Sequence, residues 1–127
     1  MEKSFANYPS LRGKNILITG GASGIGKELV KAFAEQESNV AFLDLNAVAG
    51  EELCLDIGKN VFFEKCDLRE VDKLKSSIEK LRSKLGLFDV LVNNAAHDDR
   101  HKWQDVTEEY WDERFATNLR HHFFTIQ

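Results

Sequence analysis

A glycine-rich segment follows the first strongly apolar run of the chain and precedes a segment with helical spacing. The segment reads T-G-G-A-S-G-I-G over residues 19–26, and the apolar run is Ile16-Leu17-Ile18. Glycines let a backbone approach an anion closely, and the N–H groups and dipole of a helix N-terminus favour negative charge. A strand, a glycine loop and a helix start in this order therefore indicate a site for the pyrophosphate of a nucleotide.

An acidic residue, Asp44, closes the second apolar run of the sequence. It follows the loop by about twenty residues, the distance at which dinucleotide-binding units place a carboxylate on the adenosine ribose. The glycine spacing is G-x-x-x-G-x-G and not the commonest G-x-G-x-x-G, so the loop alone is weak evidence. The alternative is that Gly24 and Gly26 merely end a strand tightly and that Asp44 caps the next helix.

Composition describes one ordinary soluble domain. The chain has 127 residues, of which 43% are hydrophobic and 30% charged, and its formal net charge is -4. The lysines of residues 65–84 alternate with acids, so we expect no nucleic acid partner. No apolar stretch approaches the roughly 20 residues that cross a bilayer, and the first residues lack the apolar core of a secretory signal. We therefore expect a cytoplasmic protein without membrane association.

Cysteine and histidine spacing gives no sign of a disulfide framework or a metal centre. Cys54 and Cys66 do not form C-x-x-C, and we expect both to be reduced and buried. His97 and His101 have i, i+4 spacing, but no third ligand follows nearby and no glutamate completes H-E-x-x-H. We therefore expect no metal site.

Four predicted strands alternate with helices along the chain. The strands are predicted over residues 15–19, 39–44, 61–63 and 88–92, and the helices over 23–37, 46–57, 68–85 and from 107 onward. This alternation predicts an α/β fold, a doubly wound Rossmann-like parallel sheet with strand order 3-2-1-4. A ligand would bind at the carboxyl ends of strands one and four, where the order reverses.

Helical spacing also predicts which side chains face the core. We expect Asp67 to cap the third helix and Gly86 to end it. The inward positions would be Ile25, Leu29, Val30 and Phe33 in the first helix, Val48, Leu53 and Ile57 in the second, and Leu68, Val71, Leu74, Ile78, Leu81 and Leu85 in the third.

Five landmarks occur in an order and at a spacing that match one enzyme family. They are the glycine loop at 19–26, Asp44, Cys66-Asp67-Leu68 after strand three, Asn93-Asn94-Ala95-Ala96 after strand four, and Asn118 in the last helix. On these residues the chain resembles the classical short-chain dehydrogenases/reductases from about Leu11 to Gln127. The resemblance implies a nicotinamide dinucleotide and an oxidoreductase that transfers a hydride to or from an alcohol or sugar.

The resemblance also implies roles for single residues. Asp44 would accept hydrogen bonds from both ribose hydroxyls, and its charge would repel the extra phosphate of NADP, so we expect NAD. Asn118 corresponds to the asparagine that holds a water in the proton relay. The remaining roles are the pyrophosphate turn for Gly20, Gly24 and Gly26 with contacts from Ser23 and Ile25, the adenine site for Asp67 and Leu68, and the nicotinamide ribose for Asn93 and Ala95. Two alternatives stay open, that Asp67 only caps a helix and that Asn93 only ties strand four to a loop.

The acid/base apparatus of the family is absent from this sequence. In the family a serine and a Y-x-x-x-K pair follow strand five, and the tyrosine acts as general acid/base. Tyr110-x-x-x-Arg114 imitates the spacing but precedes Asn118 and offers arginine, so we interpret it as coincidence. We expect residues 1–127 to form a single NAD(P)-binding domain, incomplete at its C-terminus, inactive alone, and prone to self-association through uncovered apolar faces.

The loop after strand four is unusually polar. Residues 97–103, with the following Thr107-x-x-x-Trp111-Asp112, are similar to the sugar-oxidising aldose 1-dehydrogenases. The charged groups could bond sugar hydroxyls, with Trp103 as a stacking face, although a solvated surface loop is an equally open interpretation. The alternatives to an oxidoreductase are a non-catalytic nucleotide-binding or interaction protein derived from the family, or a decayed gene product without function.

Overall fold

The computed structural model describes residues 6–127, which contain one four-stranded parallel sheet. The strands are β1 (Asn15–Thr19), β2 (Asn39–Asp44), β3 (Val61–Lys65) and β4 (Val90–Val92). They run in the order β3-β2-β1-β4, which confirms the predicted order. Within the sheet, Leu17 of β1 pairs with Ala41 of β2 and Leu91 of β4.

The helices connect the strands and extend beyond the last one. They are α1 (Gly24–Glu35), α2 (Ala47–Ile57), α3 (Val71–Leu85), α4 (Glu108–Phe115) and α5 (His121–Ile126), with a π-helical turn over Ala116–Arg120 between the last two. Thr107 caps α4, because its hydroxyl oxygen accepts a hydrogen bond from the N–H of Tyr110. Among residues 6–127 no helix combines the length and the apolar character needed to cross a bilayer.

The core lies on both faces of the sheet. Alternate side chains of β1 and β2 point to opposite faces, and both faces are covered, so these strands are continuously apolar. The core of one face contains Ile16, Ile18, Val40 and Phe42 with Val30 of α1 and Leu53 of α2. The core of the other face contains Leu17, Ala41 and Leu43 with Leu74 and Leu81 of α3. Cys66 is buried and Cys54 half-buried, and both are free thiols.

The start of α3 differs from the prediction. Its N-cap residue is Glu70, and Leu68 lies outside the helix. The carboxylate of Asp67 instead accepts hydrogen bonds from the backbone N–H and the guanidinium of Arg69. The prediction that Asp67 caps the helix was therefore wrong, because an Asp that bonds two residues ahead forms its own turn before the helix begins.

Two residues predicted to face the core are exposed. Val48 of α2 is 66% exposed, since the inward face of this helix is formed by Gly50 and Leu53. Gly50 packs so closely that an added Cβ would lie 2.5 Å from the Phe63 ring. Val48 and Leu53 are five residues apart, which is not the spacing of one helical face. Ile25 is 76% exposed because it stands in the first turn of α1, beside an open cleft.

Candidate dinucleotide site

A cleft of about 580 Å³ opens at the carboxyl edge of the sheet, where the strand order reverses between β1 and β4. The glycine loop with the start of α1 forms one part of its wall, and the segments after β2, β3 and β4 form most of the rest, with one residue each from α4 and the π-helical turn. The lining residues are Gly20, Ser23, Ile25, Gly26, Asp44, Leu45, Cys66, Asp67, Leu68, Arg69, Asn94, Ala95, Ala96, His97, Glu113 and Thr117. Among the residues predicted to bind the cofactor, Gly24 and Asn93 do not line the cleft.

The glycine loop and the start of α1 form a cradle for an anion. A Cβ at Gly26 would overlap the carbonyl oxygen of Gly20 and lie 2.6 Å from the side-chain nitrogen of Asn94, so only glycine fits there. Gly24 has a φ of +53°, a left-handed conformation that favours glycine, although it does not line the cleft. Ser23 is the N-cap residue, but its hydroxyl makes no capping hydrogen bond. The first N–H groups of α1 thus remain available to a ligand.

Asp44 links the loop to the end of β2. One carboxylate oxygen accepts the N–H of Ala22 at 2.9 Å and the other accepts the N–H of Asn46 at 3.0 Å. A carboxylate offers about four acceptor positions, so about two remain for a ligand on the cleft side. Asn46, and not Asp44, caps α2 through its own side chain. The geometry fits a partner that donates two hydrogen bonds, such as a ribose diol.

Asp67 is held by an arginine in a two-pronged contact. Arg69 donates to one carboxylate oxygen from Nη2 at 2.6 Å and to the other from Nε at 2.9 Å. These hydrogen bonds hold the pKa of Asp67 below its usual range against the opposing effect of burial. Arg69 also lies 3.6 Å from Glu113 of α4. Asp67 is therefore a fixed, ionised acceptor in the cleft wall beside Leu68.

The two asparagines after β4 have different partners. Asn94 donates from its side chain to the carbonyl oxygens of Thr19 and Gly20, both at 3.0 Å. The N–H groups of Asn94 and Ala95 both donate to the buried Thr19 hydroxyl at 3.1 Å. Asn93 instead accepts the Thr125 hydroxyl of α5 at 2.8 Å. Asn94 joins β4 to the glycine loop, and the side chain of Asn93 is bonded to α5.

Asn118 lies in the π-helical turn, and its side chain makes two hydrogen bonds with the backbone of His97. Its side-chain oxygen accepts the His97 N–H at 2.6 Å, and its side-chain nitrogen donates to the His97 carbonyl at 3.0 Å. Asn118 does not line the cleft, although His97 does. π-helical turns recur at functional sites. Its predicted part in a proton relay stays a prediction.

Several lining residues escaped the sequence reasoning. Asn94 stands in the N-N-A-A segment and could have been found by asking which asparagine closes back on the loop. Arg69 directly follows the C-D-L segment, two residues from the carboxylate that it holds. Glu113 and Thr117 carry no local signal, because only the tertiary fold brings α4 and the π-helical turn to the cleft.

The histidines of the polar loop have partners other than a metal. The ring of His97 contacts the carboxylate of Asp99 at 2.9 Å, and the ring of His101 stacks on Tyr110 with centroids 4.3 Å apart. Within residues 6–127 no three His, Cys, Asp or Glu side chains are grouped as metal ligands would be.

Comparison with known proteins gives a consistent set of relatives. The chain is 45% identical to a probable galactose dehydrogenase of Rhizobium meliloti over 96% of its length, and 44% identical to a D-xylose 1-dehydrogenase of Caulobacter vibrioides over 98%. It spans 49% and 50% of those proteins, so it covers about half of their length.

The fold has close structural neighbours as well. One is a 3-ketoacyl-(acyl-carrier-protein) reductase from Brucella melitensis solved with NADH, which matches with a TM-score of 0.85 and 27% identity over 91% of this chain and 48% of that one. The family model described as short chain dehydrogenase matches residues 14–127. The chain therefore belongs to the short chain dehydrogenase family of oxidoreductases, whose dinucleotide-binding Rossmann fold it shares.

Proposed function

We propose that this chain is the cofactor-binding half of an NAD-dependent oxidoreductase that transfers a hydride between nicotinamide and an alcohol or sugar. One observation carries the proposal: the N-terminus of α1, the carboxylate of Asp44 and the segment after β4 converge on one cleft. These groups match in kind the pyrophosphate, the adenosine ribose and the nicotinamide ribose of a dinucleotide.

Each group in the cleft would have a defined task. The N–H groups at the start of α1 would bind the pyrophosphate, Asp44 would accept the ribose hydroxyls, and Asp67 with Leu68 would border the adenine. Residues 95–97 would form the wall beside the nicotinamide ribose. When bound, the nicotinamide would supply the hydride acceptor or donor. Tyr110 would not act as the acid/base, because its hydroxyl donates to the carbonyl of Asp99 at 3.1 Å.

The preference for NAD over NADP rests on Asp44. A carboxylate bordering the ribose repels a 2′-phosphate. An ionised carboxylate also accepts hydrogen bonds from a hydroxyl but has no hydrogen to donate to a phosphate oxygen. Arg69 is the cation in the cleft lining, and Asp67 already engages it on both oxygens. We therefore expect the affinity for NAD to be at least about tenfold higher than the affinity for NADP.

Calorimetric titration of the chain with NAD and with NADP tests this proposal. Asp44→Asn should weaken NAD binding and reduce the ratio of the two affinities, whereas Asp56→Asn, a matched change on the exposed side of α2, should leave both unchanged. If the wild-type chain binds neither nucleotide, or binds NADP as tightly as NAD, the proposal that NAD is the cofactor is wrong.

A sugar is the proposed substrate class because two similar relatives are named for galactose and D-xylose. The polar loop of residues 97–103 borders the cleft through His97 and offers charged groups and the 80% exposed Trp103. Saturation-transfer NMR of the NAD-loaded chain should detect D-xylose or D-galactose in preference to a simple cyclic alcohol. Equal transfer to the alcohol would favour an alcohol substrate instead.

A further inference from the structure

One face of α4 and of the π-helical turn holds the backbone of the loop that follows β4. Tyr110 donates from its hydroxyl to the carbonyl of Asp99 at 3.1 Å. Arg114 donates from Nη1 to the carbonyl of His97 at 3.1 Å, and Asn118 donates to that same carbonyl at 3.0 Å. The three donors are spaced four residues apart, so they stand above one another on one helix face.

The first two donors are themselves held in place. The guanidinium of Arg114 lies over the Tyr110 ring, 5.1 Å from its centroid, and its Nε donates to Glu113 at 2.6 Å. The ring of His101, from the same loop, stacks on Tyr110. Tyr110 sits in the capped first turn of α4, where Thr107 accepts its N–H at 3.2 Å. These contacts restrict the rotamers that both side chains can adopt.

The backbone that they hold is part of the cleft wall. Residues 95–97 line the cleft, and a further contact reaches them from the first residue of α5, because the ring of the buried His121 lies 3.2 Å from the Ala95 carbonyl. Residues 93–102 have no helix or strand of their own. Ordering such a segment costs conformational entropy, and a ligand binds more weakly when it must bring about that order itself.

We propose that Tyr110 and Arg114 are positioning residues that hold residues 95–99 ready to receive the nicotinamide-ribose end of the dinucleotide. This inference rests on the proposed function. The Y-x-x-x-R spacing then has a physical reason that is unrelated to proton transfer: two donors one helical turn apart match two carbonyl groups of one loop. Asn118 extends the same row by one further turn.

The rate of trypsin cleavage can measure how well this loop is ordered, since Arg100 and Lys102 are trypsin sites within it. Tyr110→Phe removes only the donating hydroxyl, and Arg114→Met removes the guanidinium while keeping an apolar stem. Each should raise the initial rate of trypsin cleavage after Arg100 by roughly fivefold, as expected for one lost hydrogen bond. Asp112→Asn, an exposed change on the same helix, should leave the rate unchanged.

A second readout separates positioning of the cleft wall from a general loss of structure. NAD and ADP share the adenosine and the pyrophosphate, but only NAD carries the nicotinamide ribose. Tyr110→Phe should weaken NAD binding, leave ADP binding unchanged, and lower the melting temperature by no more than the few degrees expected for one hydrogen bond.

An unchanged cleavage rate in both variants would overturn the proposal, and so would an equal loss of NAD and ADP affinity. If the wild-type chain binds ADP and NAD with the same affinity, residues 95–99 do not receive the nicotinamide ribose and the proposal is again wrong. If the wild-type chain binds neither nucleotide, the proposed function fails, and the cleavage rates still decide whether the two side chains order the loop.

Discussion

His121 is a buried titratable group beside the cleft wall, and its environment favours the neutral ring. Burial, and then the neighbouring His122, lower the pKa of His121 below its ordinary value of 6.5. The ring Nε2 faces the Ala95 carbonyl and must carry the proton to donate to it, and Nδ1 has no hydrogen-bond partner within the described residues. A charged His121 would place a positive charge in a buried site beside the ring of His122.

This lowered pKa predicts how stability depends on pH. Below about pH 6.5 the unfolded chain takes up a proton at this residue that the folded chain does not, so the free energy of unfolding should fall as the pH falls through that value. Urea denaturation from about pH 7 to about pH 5 should show the fall, and His121→Gln, which can still donate to Ala95, should reduce it. An NMR titration that places the pKa of His121 at or above 6.5 would contradict the account.

Helix α3 packs against the sheet through side chains at regular spacing, so truncating one of these side chains should destabilise the fold. Leu81 is fully buried against one face of the sheet. Leu81→Ala should lower the free energy of unfolding by about 2–5 kcal/mol, because it removes buried methyl groups and leaves a cavity. Leu55→Ala, at an 86% exposed position of α2, should change it by less than about 0.5 kcal/mol. Denaturant unfolding of both variants measures the difference, and equal losses would contradict this packing.

Elements with unambiguous patterns were predictable from the sequence. The bounds of β1 and β2 match the prediction, because a strand covered on both faces reads as an unbroken apolar run. The start of α3 was missed because Asp67 has two local uses, as a helix cap or as the partner of Arg69, and only the fold decides between them. Val48 was misplaced because the close approach of Gly50 to Phe63, which sets the rotation of α2, leaves no hydrophobic signal.

The sequence likewise predicted part of the candidate site. Residues within the glycine loop and at the ends of β2 and β3 could be placed at the cleft, because parallel strands bring their carboxyl ends to one edge. The contributions of Glu113 and Thr117 depend on where α4 and the π-helical turn lie relative to the cleft, which no local pattern encodes. Asn93 was named by the motif but does not line the cleft, and its side-chain oxygen accepts the Thr125 hydroxyl, so its contact with the nicotinamide ribose stays a prediction.

One surface of the protein, near its C-terminal helices, is strongly apolar. A stripe of large side chains runs along α4, the π-helical turn and α5, and β4 is an edge strand of the sheet. The stripe consists of Trp111, Phe115, Leu119, Phe123 and Ile126, which are between 44% and 72% exposed. Contiguous apolar surface of this kind marks sites of association.

We therefore expect the 127-residue polypeptide to self-associate, which light scattering after size-exclusion chromatography would detect. Phe123→Glu should shift the population towards monomer, because association would bury an unpaired charge. Leu55→Glu changes an equally apolar residue outside the stripe and should have no effect. A wild-type chain that is monomeric at every concentration would show that the stripe does not drive association.

The cleft at the carboxyl edge of the sheet is the proposed binding site of a dinucleotide. An NMR titration of the isotope-labelled chain with NAD, followed through the backbone amide signals, tests whether a dinucleotide binds there. We expect saturable shifts that are largest at residues 20–26, at Leu68 and at residues 95–97. The absence of shifts, or shifts confined to the separate groove lined by Tyr8, Leu11 and Phe33, would contradict it.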